Sequence, residues 1–186
     1  QDPLLIVPGW NVTPKKFAIL VDKLTAEGAN GGRAVFLKDG QAFSDADCQN
    51  STQIVPQDRV FVSVFDSVVD SPSVSAPQLA AAVRNLQSHG FEKVDALAYS
   101  LGGLSLRKML NDTDPYVRKT AINGCIKLNY INPNFVDEND IINILYNYLK
   151  DSNTKVVVSA INGLNEIIIE EGGIAINRNI IIHLLG

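Results

Sequence analysis

The chain has 186 residues, of which 46% are apolar and 19% charged, and its formal net charge is −4. This composition is typical of a globular protein and excludes intrinsic disorder, which requires few apolar residues and a high net charge. An acidic chain lacks the basic surface that binds nucleic acid, so we expect no nucleic-acid partner. No apolar run approaches the roughly 20 residues of a membrane-spanning helix, and no transmembrane segment is expected.

The chain contains two cysteines, Cys48 and Cys125, and two histidines, His89 and His183. Two cysteines are too few for a disulfide framework and, alone, for a structural zinc site. We therefore expect neither a metal nor a cofactor, and the redox compartment stays open.

The amino-acid composition changes near position 106. Residues 1–106 contain 3 Ile, 4 Asn and 12 Ala, whereas residues 107–186 contain 15 Ile, 13 Asn and 3 Ala. This contrast predicts a composite chain, either a natural fusion or an engineered join. We expect a first segment over residues 1–105 and a second over residues 106–186.

The first segment alternates short apolar runs with amphipathic stretches, which predicts strands and helices of a parallel α/β sheet. Pro14 after Thr13 marks one helix start, and Pro77 after Ser75 or Ala76 marks another. The predicted strands are residues 4–7, 33–37, 60–65 and 93–98; the predicted helices are 14–27 and 78–88, with a loop over 38–59.

The segment 97–104 places Ser100 on a predicted strand-to-helix turn, with the small residues Ala98 and Gly102 two positions to either side. Such a tight turn needs small flanking residues and exposes the serine Oγ at the top of the sheet. The Leu101 N–H at the following helix start, and the Trp10 N–H after the first strand, are candidate oxyanion-hole donors. The alternative interpretation is a serine that only completes a turn.

With these residues, the segment 1–105 resembles the first half of an α/β-hydrolase of the lipase or esterase type. The resemblance implies Ser100 as a nucleophile acting on an ester or lipid. It departs from the family at Ala98, where glycine is usual, and at Pro8, where histidine usually precedes Gly9. A catalytic base should follow the serine, which leaves only His183, because His89 precedes it and occupies a helix C-cap.

The second segment repeats with a period of 39 residues. Leu106, Leu110 and Asp112 match Leu145, Leu149 and Asp151, and segment 121–124 (AING) matches 160–163 (AING). Each unit reads as two helices joined at an acidic turn, which predicts a HEAT- or armadillo-like solenoid.

The phrase 112–121 (DTDPYVRKTA), with 131–133 (INP) and 151–157 (DSNTKVV), resembles the trunk of the large β subunits of clathrin-adaptor complexes. This resemblance implies a noncatalytic scaffold for vesicle-mediated protein transport, with other adaptor subunits as partners. It also implies a cytoplasmic, coat-associated location, whereas a hydrolase could be secreted.

The repeat register also bears on single residues. It places His183 over Ile144 inside a helix, so His183 needs no catalytic role, and it accounts for Asp151 as a turn residue. Cys125 falls on an apolar stripe, which predicts a buried side chain. Arg118 and Lys119 are interpreted as solvated helix positions, with an acidic partner or lipid headgroup as the alternative.

The two segments are predicted to meet in one helix running from residues 100–102 into 106–110. The strand 93–98 would then lie at a sheet edge, where exposed backbone promotes aggregation unless helices cover it. We therefore expect marginal stability or self-association. Scaffold, serine hydrolase and a chain with neither activity remain the three interpretations.

Overall fold

The computed structural model describes residues 2–67, 71–131, 134 and 140–170. The first segment forms a five-stranded sheet in the order β3-β2-β4-β1-β5. The strands are β1 Leu4–Val7, β2 Ala34–Lys38, β3 Gln41–Phe43, β4 Val60–Ser63 and β5 Asp95–Ala98. The helices are α1 Ala18–Thr25, α2 Pro72–Ser88, α3 Gly102–Lys108, α4 Pro115–Ile131, α5 Ile141–Tyr148 and α6 Thr154–Glu170.

Strands β2, β4, β1 and β5 run parallel, which confirms the predicted α/β class. Strand β1 lies between β4 and β5, with Leu5 opposite Phe61 of β4 and Ala96 of β5. The predicted loop over 38–59 was wrong in its first residues. It contains β3, which pairs antiparallel with β2, and a further bridge between Phe43 and Ser51.

Side chains alternate between the two faces of the sheet, as strand geometry requires. Leu5, Val7 and Phe61 point to the face that α2, α3 and α4 cover, whereas Ile6 and Val62 point to the face that α1 covers. These strand residues are fully buried, which explains why the sequence shows continuous apolar runs rather than alternation.

Two helix starts differ from the sequence prediction. Pro14–Phe17 forms a 3-10 turn, and the α-helix begins only at Ala18. Helix α2 begins at Pro72, not near Gln78, with Ser71 as its N-cap. Pro72 takes the first helical position, where no N–H is needed, and Pro77 then lies inside the helix.

Helix α3 crosses residues 105 and 106 without a break and continues as a 3-10 turn over Met109–Asn111. The predicted shared helix is therefore present. Leu106 on this helix is fully buried in a hydrophobic cluster that extends from Leu5 in β1 to Ile167 in α6. The two segments thus share one core, while the boundary at 105/106 stays a prediction from composition.

The helical segment follows the predicted repeat. Gly124 of α4 sits so close to Leu106 of α3 that an added Cβ would lie 2.3 Å from its Cδ2. At the equivalent place, a Cβ on Gly163 of α6 would lie 3.4 Å from Leu145 Cδ1 of α5 and 2.2 Å from Ile126 Cδ1 of α4. The glycines therefore let the helices of each unit and of successive units approach closely.

Helix α4 packs against β5, the strand expected to lie exposed at the sheet edge. Lys127 of α4 also forms an ion pair with Asp95 of β5 at 2.7 Å. Coverage by a helix is what the sequence analysis required for this edge to avoid aggregation. Marginal stability and self-association stay predictions. Among the described helices, none combines the length and apolarity needed to cross a bilayer.

Candidate functional site

Ser100 lies in the tight turn between β5 and α3, as the sequence predicted. The Tyr99 N–H donates to the Val7 carbonyl of β1 at 3.0 Å, and the Gly102 N–H donates back to the Tyr99 carbonyl at 3.0 Å. Between them, Ser100 has a φ of 53°, in the left-handed region that residues with a Cβ rarely adopt. The serine is solvent-exposed. The backbone of this turn is strained, and the role of Ser100 as a nucleophile stays a prediction.

Two glycines allow the turn to touch the end of β1. A Cβ on Gly102 would lie 2.7 Å from the Val7 carbonyl oxygen, and one on Gly9 would lie 2.3 Å from the Tyr99 carbonyl oxygen. The need for a small residue at Gly102 was predicted. The role of Gly9 was missed, because its contact is formed with a segment about ninety positions away in the chain.

The candidate oxyanion donors line a small pocket beside the turn. Trp10 and Leu101 border a cavity of about 10 Å³, together with the buried hydroxyls of Ser75 and Ser105, whose Oγ atoms are 2.7 Å apart. Among the described residues, no acceptor is bonded to the Trp10 or Leu101 N–H. A cavity of this size holds about one water molecule.

The described part of the candidate site contains no side chain that contacts Ser100 as a catalytic base. In the described ranges, no side chain forms a hydrogen bond with Ser100 Oγ. His89 caps the C-terminus of α2, where its Nδ1 lies 2.9 Å from the Asn85 carbonyl oxygen. His183 lies outside the described residues, so the proposed base and the Ser100–His183 pairing stay predictions.

Arg118 and Asp151 form the most buried ion pair of the described helical segment. The guanidinium donates two hydrogen bonds of 2.9 Å to the carboxylate, and the side chains are 13% and 8% exposed. Burial raises the pKa of Asp151, but the bonds from Arg118 and from the Asn153 N–H outweigh it and hold the pKa below 3.8. The prediction that Arg118 is solvated was wrong, because its partner lies 33 positions away and is brought near only by stacking of the repeats.

Lys119 and Cys125 occupy neighbouring turns of α4. Lys119 is half-buried rather than solvated: its Nζ donates to the Glu92 carbonyl oxygen at 2.8 Å, and burial lowers its pKa. Cys125 is fully buried, as its place on the apolar stripe predicted, and burial raises the pKa of its thiol to about 12. Within the described residues, no group of His, Cys, Asp or Glu could hold a metal ion.

Comparison with curated proteins identifies relatives of part of the chain. The chain is 38% identical over 110 residues to the AP-1 complex subunit beta of Dictyostelium discoideum, and 36% identical over 110 residues to the human AP-1 complex subunit beta-1. Each alignment covers 59% of this chain and 11% of the relative. It is also 38% identical over 76 residues to the mouse AP-4 complex subunit beta-1, covering 41% of this chain and 10% of that protein. The chain thus spans about a tenth of these relatives, and the predicted likeness to adaptor β subunits is confirmed.

A solved structure, titled as that of the gene lin2722 products from Listeria innocua, has a TM-score of 0.46 at 19% identity. It covers 61% of this chain and 45% of that chain. Residues 80–185 match the family model described as non-SMC mitotic condensation complex subunit 1. The match begins within α2 and includes β5 and the Ser100 turn as well as the helical repeat. Because this model matches more than half of its residues, the chain belongs to the family of non-SMC mitotic condensation complex subunit 1.

Proposed function

We propose that the chain is a noncatalytic interaction scaffold of the adaptor-coat type, which binds other adaptor subunits through its helical repeat and serves vesicle-mediated transport. The named relatives are subunits of protein complexes, and the matching family model also describes a subunit of a complex. A subunit that takes part in assembly needs a rigid surface rather than a reactive group. The proposal therefore rests on the helical repeat and not on Ser100.

The observation that carries this proposal is the ordered stacking of two repeats with apolar side chains left at the surface. The Arg118–Asp151 pair and the Gly163 contact hold α6 against the preceding unit. On α6, Ile161 is 39% exposed although its equivalent, Ile122, is fully buried in α4. An exposed isoleucine on a rigid helix is a suitable centre for a protein contact.

The proposal is tested by co-expressing the tagged chain with the remaining subunits of an adaptor complex and measuring which of them co-purify. We expect retention of at least one adaptor subunit, and strong loss of it in Ile161→Asp. The matched control is Ile19→Asp, which places the same charge at an isoleucine that is 73% exposed on α1. Loss of binding in both variants, or in neither, contradicts a contact through α6.

A parallel arm uses the other subunits of a mitotic condensation complex, because the family model carries that description. Retention of condensation subunits without adaptor subunits would overturn the adaptor assignment and keep the scaffold role. Failure to retain subunits from either complex would overturn the scaffold role itself.

A serine hydrolase is the second candidate function, and the left-handed Ser100 in its tight turn favours it. A fluorophosphonate probe distinguishes the two, because it labels a serine only when a base activates it. The scaffold proposal expects no labelling. Labelling that disappears in both Ser100→Ala and His183→Ala would instead establish a hydrolase with His183 as its base.

A further inference from the structure

Two neighbouring cavities lie where the helical repeat meets the α/β segment. The first, of about 340 Å³, is bounded by the loop 90–92, Tyr116 on α4 and the start of α6. The second, of about 330 Å³, extends along α4 and α6 past Asn123 and Asn162. Lys119 and Lys155 line both cavities, so a lysine pair lies where the two meet, and we refer to the two cavities together as the groove.

The lysine pair is short of negative partners. Within the described residues, neither Lys119 nor Lys155 forms an ion pair, whereas Lys93, at the far wall of the second cavity, is paired with Asp2 at 2.7 Å. Lys119 Nζ donates to a neutral carbonyl and lies 5.8 Å from the Tyr116 ring centroid. Burial and the nearby charge of Lys155 both lower the pKa of Lys119. A bound anion would relieve this repulsion.

The groove is positive although the whole chain carries a net charge of −4. Among the described residues, two lysines without an ion pair, Lys119 and Lys155, and a single carboxylate residue, Glu92, line the two cavities, while the charge of Lys93 is balanced by Asp2. An anion is therefore attracted to the lysine pair. A small free anion would fill only the space between Lys119 and Lys155 and leave the remaining walls without contacts.

We propose that this groove binds an extended acidic peptide segment of a partner protein. A carboxylate of the segment lies between Lys119 and Lys155, where it accepts hydrogen bonds from both ammonium groups. An apolar side chain of the segment packs against Tyr116 in the first cavity. The amide side chains of Asn123 and Asn162 supply donors and acceptors for its backbone in the second. Ile161 does not line the groove, although it directly precedes Asn162, and the groove does not depend on the assembly proposed above.

The test measures fluorescence anisotropy of a short fluorescein-labelled peptide of glutamates flanking one leucine. We expect saturable binding that weakens with added salt, and no binding of the same peptide with glutamines. Lys119→Gln with Lys155→Gln should weaken binding by about tenfold, the effect of losing two partly exposed charge contacts. Lys119→Arg with Lys155→Arg retains the charge and should bind within about twofold of the original chain.

The matched control is Lys16→Gln with Lys23→Gln, which changes the net charge equally at two exposed lysines of the α/β segment. Equal weakening in this control, or binding of inorganic phosphate without binding of the glutamate peptide, would overturn the proposal. Ile161→Ala, which removes the apolar side chain without adding a charge next to Asn162 of the groove, should leave peptide binding unchanged, so failure of the assembly proposal and failure of this one give different results.

Discussion

Arg118 and Asp151 join two equivalent turns of the helical repeat. The guanidinium of Arg118 donates hydrogen bonds to both carboxylate oxygens of Asp151, and also to the carbonyl oxygens of Asp112 and Thr113. Asp112 and Asp151 are equivalent by the 39-residue period, so one arginine connects the acidic turns of successive units. The register of the second unit on the first is therefore fixed by a polar contact as well as by apolar packing.

Removing one partner of this pair should destabilise the protein strongly. Asp151→Asn leaves Arg118 charged and largely buried without its counter-ion, and we expect the free energy of unfolding to fall by about 3 kcal/mol. Urea denaturation followed by circular dichroism measures it. Arg118→Met combined with Asp151→Leu should be less destabilising than Asp151→Asn alone, since it leaves no unpaired charge. A double variant with a lower free energy of unfolding than Asp151→Asn would contradict the role of a buried ion pair.

Stability should decrease at acid pH because of two paired carboxylates. Burial raises the pKa of Asp58 and of Asp151, but hydrogen bonds from Arg33 and Arg118 respectively outweigh it and hold both pKa values below 3.8. Their stabilisation is complete above the unfolded pKa and is lost as the pH falls through the folded values. We expect the urea midpoint to drop below about pH 4, where the unfolded carboxyls take up protons. The drop should be smaller in Asp58→Asn; an equal drop would exclude Asp58 as a cause.

The sequence predicted local structure better than it predicted contacts. The buried strands were found because runs such as 4–7 are apolar throughout, and the repeat was found because Gly124 and Gly163 recur in the same phrase. The start of α2 was misplaced because two prolines, Pro72 and Pro77, each fit a first helical position. Of the candidate site as the structure describes it, the turn around Ser100 and the position of Trp10 and Leu101 beside it could be anticipated.

The remaining features depend on residues far apart in sequence. The partner of Arg118 lies in the next repeat, and the groove is formed by the loop 90–92 together with the starts of α4 and α6. Gly9 approaches the Ser100 turn only because β1 and β5 pair side by side. Such contacts follow from the tertiary arrangement, and they cannot be predicted from the periodicity or turn chemistry of a single segment.

Gly102 should tolerate substitution less well than Gly163. A Cβ at Gly102 would meet the backbone carbonyl oxygens of Val7 and Pro8 at 2.7 and 2.9 Å, and these cannot move without shifting β1. A Cβ at Gly163 meets the end of the Ile126 side chain, which can rotate away. We expect Gly102→Ala to cost about 3 kcal/mol, at the upper end for overpacking, and Gly163→Ala about 1 kcal/mol or less. Thermal denaturation compares them, and equal losses would contradict the close approach at Gly102.

Relieving the left-handed backbone at Ser100 should stabilise the protein. Ser100 has a φ of 53°, which costs about 1 kcal/mol for a residue with a Cβ and little for glycine. Ser100→Gly is therefore expected to raise the free energy of unfolding by about that amount in urea denaturation. Ser100→Ala is the matched control, because it removes the hydroxyl and keeps the Cβ. Equal stabilities of the glycine and alanine variants would show that the turn holds no strain.

The two cysteines should differ in reactivity. Cys48 is half-buried, whereas Cys125 is fully buried in the core that α3, α4 and α6 share, where burial raises its thiol pKa to about 12. Because the thiolate is the reactive form, iodoacetamide at about pH 8 should modify Cys48 first and leave Cys125 intact in the folded protein. Mass spectrometry of the native and urea-unfolded chain measures this, with Cys48→Ser as the control. Modification of both cysteines at the same rate would contradict the burial of Cys125.

Helix α3 has a consequence for how the molecule loses its structure. Its first turn packs against the end of β1 next to Ser100, and Leu106 near its other end packs against Gly124 of α4 in the first helical repeat. The change in amino-acid composition near position 106 lies in the middle of this helix. Such a change would ordinarily mark the limit of an independently folding unit. We therefore expect the sheet and the repeat to unfold together, because cutting the chain at 105/106 would leave both fragments with a piece of a helix and an open core.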